Sequence, residues 1–169
     1  MKTNRRTLRR WGASLLCVAL LTGLLTVPAA AEEDHLTIGS NLAIKIAAGE
    51  QPAVSNDTAT LGTGTYEIEG TWSGSIHDDE AVLTVPAGKT ADVTLNGVNI
   101  DVSSISDTCA FAVEAGGTLR LTLADGTDNT LLSGFSRAGL EVPEGATLTI
   151  GGSGSLTATG GVYGAGSGG

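Results

Sequence analysis

Apolar and polar residues alternate along this chain in short strings, and the strings recur. Ala81, Leu83 and Val85 form one, Cys109, Phe111 and Val113 a second, and Ala138, Leu140 and Val142 a third. Each runs into a similar four-residue corner: Val85-Pro86-Ala87-Gly88, Val113-Glu114-Ala115-Gly116 and Val142-Pro143-Glu144-Gly145. Beyond each corner the alternation resumes through Ala91/Val93/Leu95, Leu119/Leu121/Leu123 and Leu148/Ile150. Period-two alternation marks a strand with one buried face, and the closing glycine supplies backbone angles that other residues resist. A third, shorter strand is predicted in each repeat, at Val98-Asn99-Ile100, Asn129-Thr130-Leu131 and Ser155-Leu156-Thr157. No segment from Glu32 to Gly169 carries a convincing helical period.

The corners lie 28 and then 29 residues apart. So constant a repeat, with such short corners, fits a coil in which each strand stacks on its equivalent one turn later. The predicted fold is all-β, a right-handed parallel β-helix (β-solenoid) of about four coils, the first running through Tyr66, Ile68 and Ile76. At ~4.8 Å per coil the stack would rise on the order of 20 Å. A β-sandwich would also give short strands between turns, but the near-constant repeat argues against it. Residues 61–159 are assigned to the repeats. Residues 32–60 are read as an N-terminal capping segment, with Leu42/Ile44/Ile46 as a capping strand and Glu50 to Thr60 as a loop. Residues 160–169 read as a glycine-rich tail, either a flexible closure or the point where a longer protein continues.

Residues 1–31 have a basic start, an apolar run from Ala13 to Val27 and small residues at Ala29-Ala30-Ala31. That pattern predicts a secretory signal peptide cleaved after Ala31, and hence a secreted or cell-surface protein. The apolar run is shorter than the roughly 20 residues that span a bilayer. Cleavage would remove Cys17 and leave Cys109 as the sole cysteine, without an internal disulfide and reading as a small buried core residue.

The leader also takes five of the nine basic residues, leaving four against eighteen acidic ones, a formal charge of about −14. Nucleic-acid binding by phosphate neutralisation is excluded, since that needs clustered Lys and Arg. So is a basic membrane-surface helix.

Three blocks occur in order: Gly64-Thr65-Tyr66-Glu67-Ile68-Glu69-Gly70-Thr71-Trp72, Val93-Thr94-Leu95-Asn96-Gly97-Val98-Asn99-Ile100 and Leu123-Ala124-Asp125-Gly126-Thr127-Asp128-Asn129-Thr130-Leu131. Together they resemble the bacterial carbohydrate-binding-domain family of secreted right-handed β-helices, over roughly Leu61 to Gly166. The resemblance implies an exported, non-catalytic, calcium-associated module that binds polysaccharide, acidic sugars among the ligands. Family members usually continue for further coils, so a site built on later coils would be missing from this chain.

Sugar recognition uses flat aromatic faces with fixed polar groups beside them. Trp72, between Gly70 and Gly74 in a Thr/Ser/Gly stretch, is the first candidate platform; the competing role is a plug at the N-terminal end of the apolar column. Tyr66 and Tyr163 are further carbohydrate-binding candidates, although Tyr66 alternates with Ile68 in a way that suggests partial burial. Asp101, Asp125 and Asp128 follow strands of successive coils, and stacked loops could bring them together as oxygen ligands for calcium. Their competing role is to solvate the coil. A domain near −14 would repel a polyuronate unless a cation bridged the carboxylates, whereas a neutral, cellulosic ligand needs no bridge.

His77-Asp78-Asp79-Glu80 is the only constellation with acid–base potential. It falls in a loop without the basic clamp that a uronate hydrolase or lyase needs. The leading expectation is therefore a secreted polysaccharide-binding module with cell-surface association and no enzymatic activity. A structural spacer or adhesion stalk is the alternative, and a β-helix polysaccharide hydrolase or lyase the third reading.

Overall fold

The computed structural model describes residues 35–77 and 80–168. The leader at 1–31 and the pair Asp78-Asp79 lie outside the described residues. The described residues contain no helix. Their strands are β1 (His35–Ile38), β2 (Asn41–Gly49), β3 (Ala53–Ser55), β4 (Thr58–Thr60), β5 (Gly64–Thr71), β6 (Ala81–Val85) and β7 (Thr90–Asp101). They continue with β8 (Cys109–Val113), β9 (Thr118–Leu123), β10 (Asp128–Leu132), β11 (Leu140–Glu141), β12 (Thr147–Gly152), β13 (Ser155–Thr159) and β14 (Ser167–Gly168).

These strands wind into a parallel β-solenoid of about four turns with a repeat of about 28 residues. One wall stacks β4, β6, β8, β11 and β14 in parallel. The other stacks β5 on β7, then β7 on both β9 and β10, which in turn carry β12 and β13. Strand β7 is a single twelve-residue strand, whereas later coils break the same course into two. The break is the turn Ala124–Thr127, closed by the Thr127 N–H on the Ala124 carbonyl at 3.2 Å.

Register puts like on like. Leu83 faces Phe111, which faces Leu140; Ala91 and Val93 face Leu119 and Leu121. Most of these side chains are wholly buried and form one continuous apolar column. The corner glycines repeat for a conformational reason. Gly88, Gly116 and Gly145 have φ of 73°, 86° and 85°, with no atom closer than 3.9 Å to where a Cβ would stand. Space is free there, but the left-handed backbone disfavours a side chain. The corners are also bonded to each other: the Gly88 N–H donates to the Gly116 carbonyl and the Gly116 N–H to the Gly145 carbonyl, each at 3.0 Å.

Two segments differ from the sequence expectation. Glu50 to Thr60 is not simply a loop, because β3 and β4 pair there as an antiparallel hairpin about Asn56, whose φ is 52°. Asparagine tolerates that left-handed angle, which makes Ser55-Asn56-Asp57-Thr58 a hairpin turn. Likewise residues 160–168 are not a loose tail. The Ser136 N–H donates to the Val162 carbonyl, that of Gly139 to Ala165 and that of Leu140 to Gly166, so the segment begins another coil. At the other end β2, the strand through Leu42, Ile44 and Ile46, pairs antiparallel with β5, and β1 pairs antiparallel with the far edge of β2.

Asn129 ties three coils together. It is 1% exposed; its side-chain oxygen accepts the Val98 N–H at 2.9 Å, and its amide donates to the Ser155 carbonyl at 3.0 Å. A buried backbone group left unpaired costs about 1–3 kcal/mol. Asn129→Ala should therefore destabilise the chain by about 2–4 kcal/mol in denaturant titration. Loss below about 1 kcal/mol would show that the link is dispensable.

Candidate functional site

Two aromatic candidates are withdrawn from the surface. Tyr66 is 1% exposed, and its hydroxyl donates to the Glu50 carbonyl at 2.7 Å. Burial, and then the Glu50 carboxylate, raise its phenol above the ordinary value. Trp72 is 6% exposed, and its indole N–H donates to the Asp57 carbonyl at 2.8 Å, in the turn of the β3–β4 hairpin. Neither presents a face on which a sugar could stack. Trp72 takes the plugging role, and the hairpin that covers it lies in the stretch expected to be a loop.

The three acidic candidates are not brought together either. Asp101 ends β7 in register with Leu132, four residues beyond Asp128 and so roughly 13 Å further along the strand direction. Its carboxylate accepts the Ser103 N–H and hydroxyl, at 3.0 and 2.6 Å. Asp125 and Asp128 flank the other corner, where they accept the hydroxyls of Ser153 and Ser155 from the next coil. Among the described residues no three His, Cys, Asp or Glu side chains gather as a ligand set. A calcium site made of all three aspartates does not fit this arrangement. His77 and Glu80 are exposed, joined by the Glu80 N–H on the His77 carbonyl at 3.3 Å.

Tyr163 stands apart. It is 87% exposed and has φ of 69°. The backbone bonds from Asp107 to Phe135 and from Ser136 to Val162 make Asp107, Ser136 and Tyr163 equivalent positions of one corner. All three are left-handed, with φ of 51° and 62° at Asp107 and Ser136. A small polar side chain carries that angle cheaply; a bulky aromatic there costs roughly 1–2 kcal/mol and is a true outlier. The ring of Tyr163 also meets that of Phe135 edge-on, centroids 5.5 Å apart at 89°. Phe135 is 46% exposed, so the two rings make an aromatic ridge. The sequence reading assigned Phe135 no role, although Gly134 and Ser136 set it in a polar corner outside the alternating strings.

Each side of the ridge has a groove. On the Tyr163 side a groove of about 490 Å³ runs over the outer face of β6, β8 and β11, with Thr84, Ala112 and Glu141 in successive coils along its floor. Arg137 and Glu141 form a two-pronged ion pair within it, at 2.6 and 2.7 Å, and Arg137 also donates to the Asp107 carbonyl. On the Phe135 side a smaller groove of about 300 Å³ is lined by Ser103, Thr159 and Val162 among others. Lys45, Lys89 and Arg120, the other basic residues of the described coils, pair with Glu69, Glu50 and Asp92.

Cys109 is buried close to this groove, and its thiol donates to the Ala138 and Phe111 carbonyls. Burial, and then the Glu141 carboxylate, push the thiol from 9.0 up to about 11. It is a core residue with little nucleophilic character at neutral pH.

No family model matches the chain, and no curated protein or solved structure is detectably similar to it. What the site can bind therefore has to be argued from the ridge and its grooves.

Two outcomes follow for the buried groups. Trp72→Ala should cost about 3–5 kcal/mol of stability, with any loss of binding tracking unfolding; a stable variant that no longer binds would restore Trp72 as a platform. Because folding favours the neutral Cys109 thiol, its contribution is complete below pH 9.0 and is lost as pH rises to about 11. Over that window the native chain should lose on the order of 2–3 kcal/mol more than Cys109→Ala does. Parallel denaturant titrations check this, and equal losses would refute it.

Proposed function

We propose that the chain is an exported, non-catalytic polysaccharide-binding module, retained at the cell surface, whose contact face is the Phe135–Tyr163 ridge with its two grooves. The observation that carries this reading is Tyr163 itself. An exposed aromatic ring at a left-handed corner gains little from the core, and its equivalents are Asp107 and Ser136, which suit the angle better. Local strain at an exposed aromatic is a feature that binding explains and folding does not. An aromatic ridge beside a hydroxyl- and carboxylate-lined groove is suited to the C–H faces and hydroxyls of a sugar chain.

Electrostatics narrows the ligand. Arg137 is engaged by Glu141, and Glu114 lines the same groove, so the groove is on balance negative. With the other three basic residues also paired, a neutral, cellulosic chain suits this surface better than a polyuronate. The dispersed aspartates offer no evident calcium bridge to reverse that preference. The spacer reading draws on a separate observation: the outer face of the opposite wall repeats threonine, with Thr90, Thr118 and Thr147 in register and Thr94 beside Thr122.

Retention on insoluble cellulose and on immobilised polygalacturonate, each with calcium and with chelator, tests the proposal. Retention on cellulose in both buffers is expected. Tyr163→Asn should weaken it about tenfold, equivalent to ~1.4 kcal/mol, while leaving stability unchanged or raising it by up to ~1 kcal/mol through relief of strain. Phe135→Ala should act in the same direction. A folded chain held by neither polymer would favour the spacer, and calcium-dependent retention on polygalacturonate alone would return attention to the aspartates.

A further inference from the structure

Where a ligand would lie against the ridge follows from how the coils stack. The larger groove has Thr84, Ala112 and Glu141 on its floor, one from each of β6, β8 and β11, and the pairing between these strands carries no bulge. Its sides are the corners that bound those strands. Ser136 and Arg137 stand before β11 on one side, and Glu114 and Pro143 follow β8 and β11 on the other. Each corner is bonded to the same corner of the next coil, so the two sides are parallel ridges. The groove is therefore a straight trough along the stacking axis, across the strands rather than along them. Its floor positions recur every ~4.8 Å, close to the step of one sugar ring in an extended chain.

The rings set a second condition. Tyr163 and Phe135 meet at 89°, so they cannot both lie flat on one surface. The packed face of a polysaccharide crystal would rest on one ring at most and would bridge the trough without entering it. A separate chain can do both: stack the C–H face of one sugar on a ring and turn its hydroxyls toward the floor. The floor has groups to receive them. Thr84 supplies a hydroxyl, and Glu141 a half-buried carboxylate held in place by Arg137 and by the Ala138 N–H. Ala112, between the two, adds only a methyl group to the floor.

We infer that the occupant is a single, extended, β-1,4-linked chain of neutral sugars, lying along the stacking axis in the trough beside Tyr163. The inference rests on the reading of the ridge as a sugar-contact surface, and adds which form of polymer is held and in which direction. A β-1,4 linkage turns successive rings over and keeps the chain straight, which a straight trough requires. An α-1,4 linkage curls the chain into a helix that soon leaves the floor. What the protein holds in insoluble cellulose is then its disordered fraction, whose chains are free to enter.

The test sets swollen, disordered cellulose against highly crystalline cellulose of equal accessible surface, with soluble β-1,4 and α-1,4 gluco-oligosaccharides as competitors. Retention should be about tenfold stronger on the disordered form, and only the β-1,4 competitor should displace the protein. Ala112→Phe and Thr84→Phe fill the floor on coils that carry neither ring, and each should weaken retention about tenfold. Thr122→Phe, on the outer face of the opposite wall, should leave it unchanged. The competition on the unaltered chain needs no variant. Equal retention on crystalline cellulose, displacement by the α-1,4 competitor, or indifference to both floor substitutions would overturn the inference; if Tyr163→Asn still abolished retention, the ridge would stand as a sugar-contact surface. A folded chain that holds none of these glucans would remove the ridge reading and the inference together.

Discussion

Every coil of this protein takes its place from backbone hydrogen bonds to the coil before it, and the remaining features depend on that ladder. Parallel pairing in register makes residue i of one coil the neighbour of residue i + 28 or so in the next, so the sequence must repeat its chemistry at that spacing. Leu83, Phe111 and Leu140 share one column because the backbone holds them there, and their burial in turn secures the backbone. No coil has a core alone; stability is built from contacts between neighbours. The Gly88, Gly116 and Gly145 corners obey the same rule, since a turn of different shape in one coil would break the bond to the next.

This dependence explains why the fold was legible. The sequence states the same pattern three times between Ala81 and Ile150, and a chance alternation does not recur at 28 and 29 residues. Where the repeat is absent the reading weakened. The β3–β4 hairpin has no equivalent later in the chain, and only the Asn56-Asp57 turn signals it. Trp72 stayed undecided between platform and plug through the same gap. Its Gly, Ser and Thr neighbours suggest exposure, but its burial comes from that hairpin, fifteen residues earlier, and local composition cannot report a distant cover.

The acidic residues failed for a different reason. Each coil turns at more than one corner, and loops stack only with loops of the same corner. Asp101 ends the second half of β7, whereas Asp125 precedes the strand that pairs with that half, so order along the chain does not translate into proximity. Register decides the matter, and register across the break after Leu123 is where the repeat slips: Leu95 pairs 28 residues ahead with Leu123, but Asn99 pairs 31 ahead with Thr130. Such a slip is invisible until the pairing is known.

A repeating scaffold also gives a criterion for separating what folds from what functions. A residue matched by its equivalents in neighbouring coils is explained by stacking; one that departs from them at a cost needs another explanation. Phe111 and Leu121 belong to the first class. Tyr163 belongs to the second, because the corner it shares with Asp107 and Ser136 asks for a small polar side chain and receives an exposed ring. Phe135 belongs there too: it occupies the position of Ser106 one coil earlier, gives up half-exposed apolar surface, and meets Tyr163. Two departures in adjacent coils that touch each other are more informative than either alone. Stacking by itself sets positions 135 and 163 side by side, so the 5.5 Å contact follows from the coil; what stacking does not account for is that both exposed positions beside the groove carry aromatic rings.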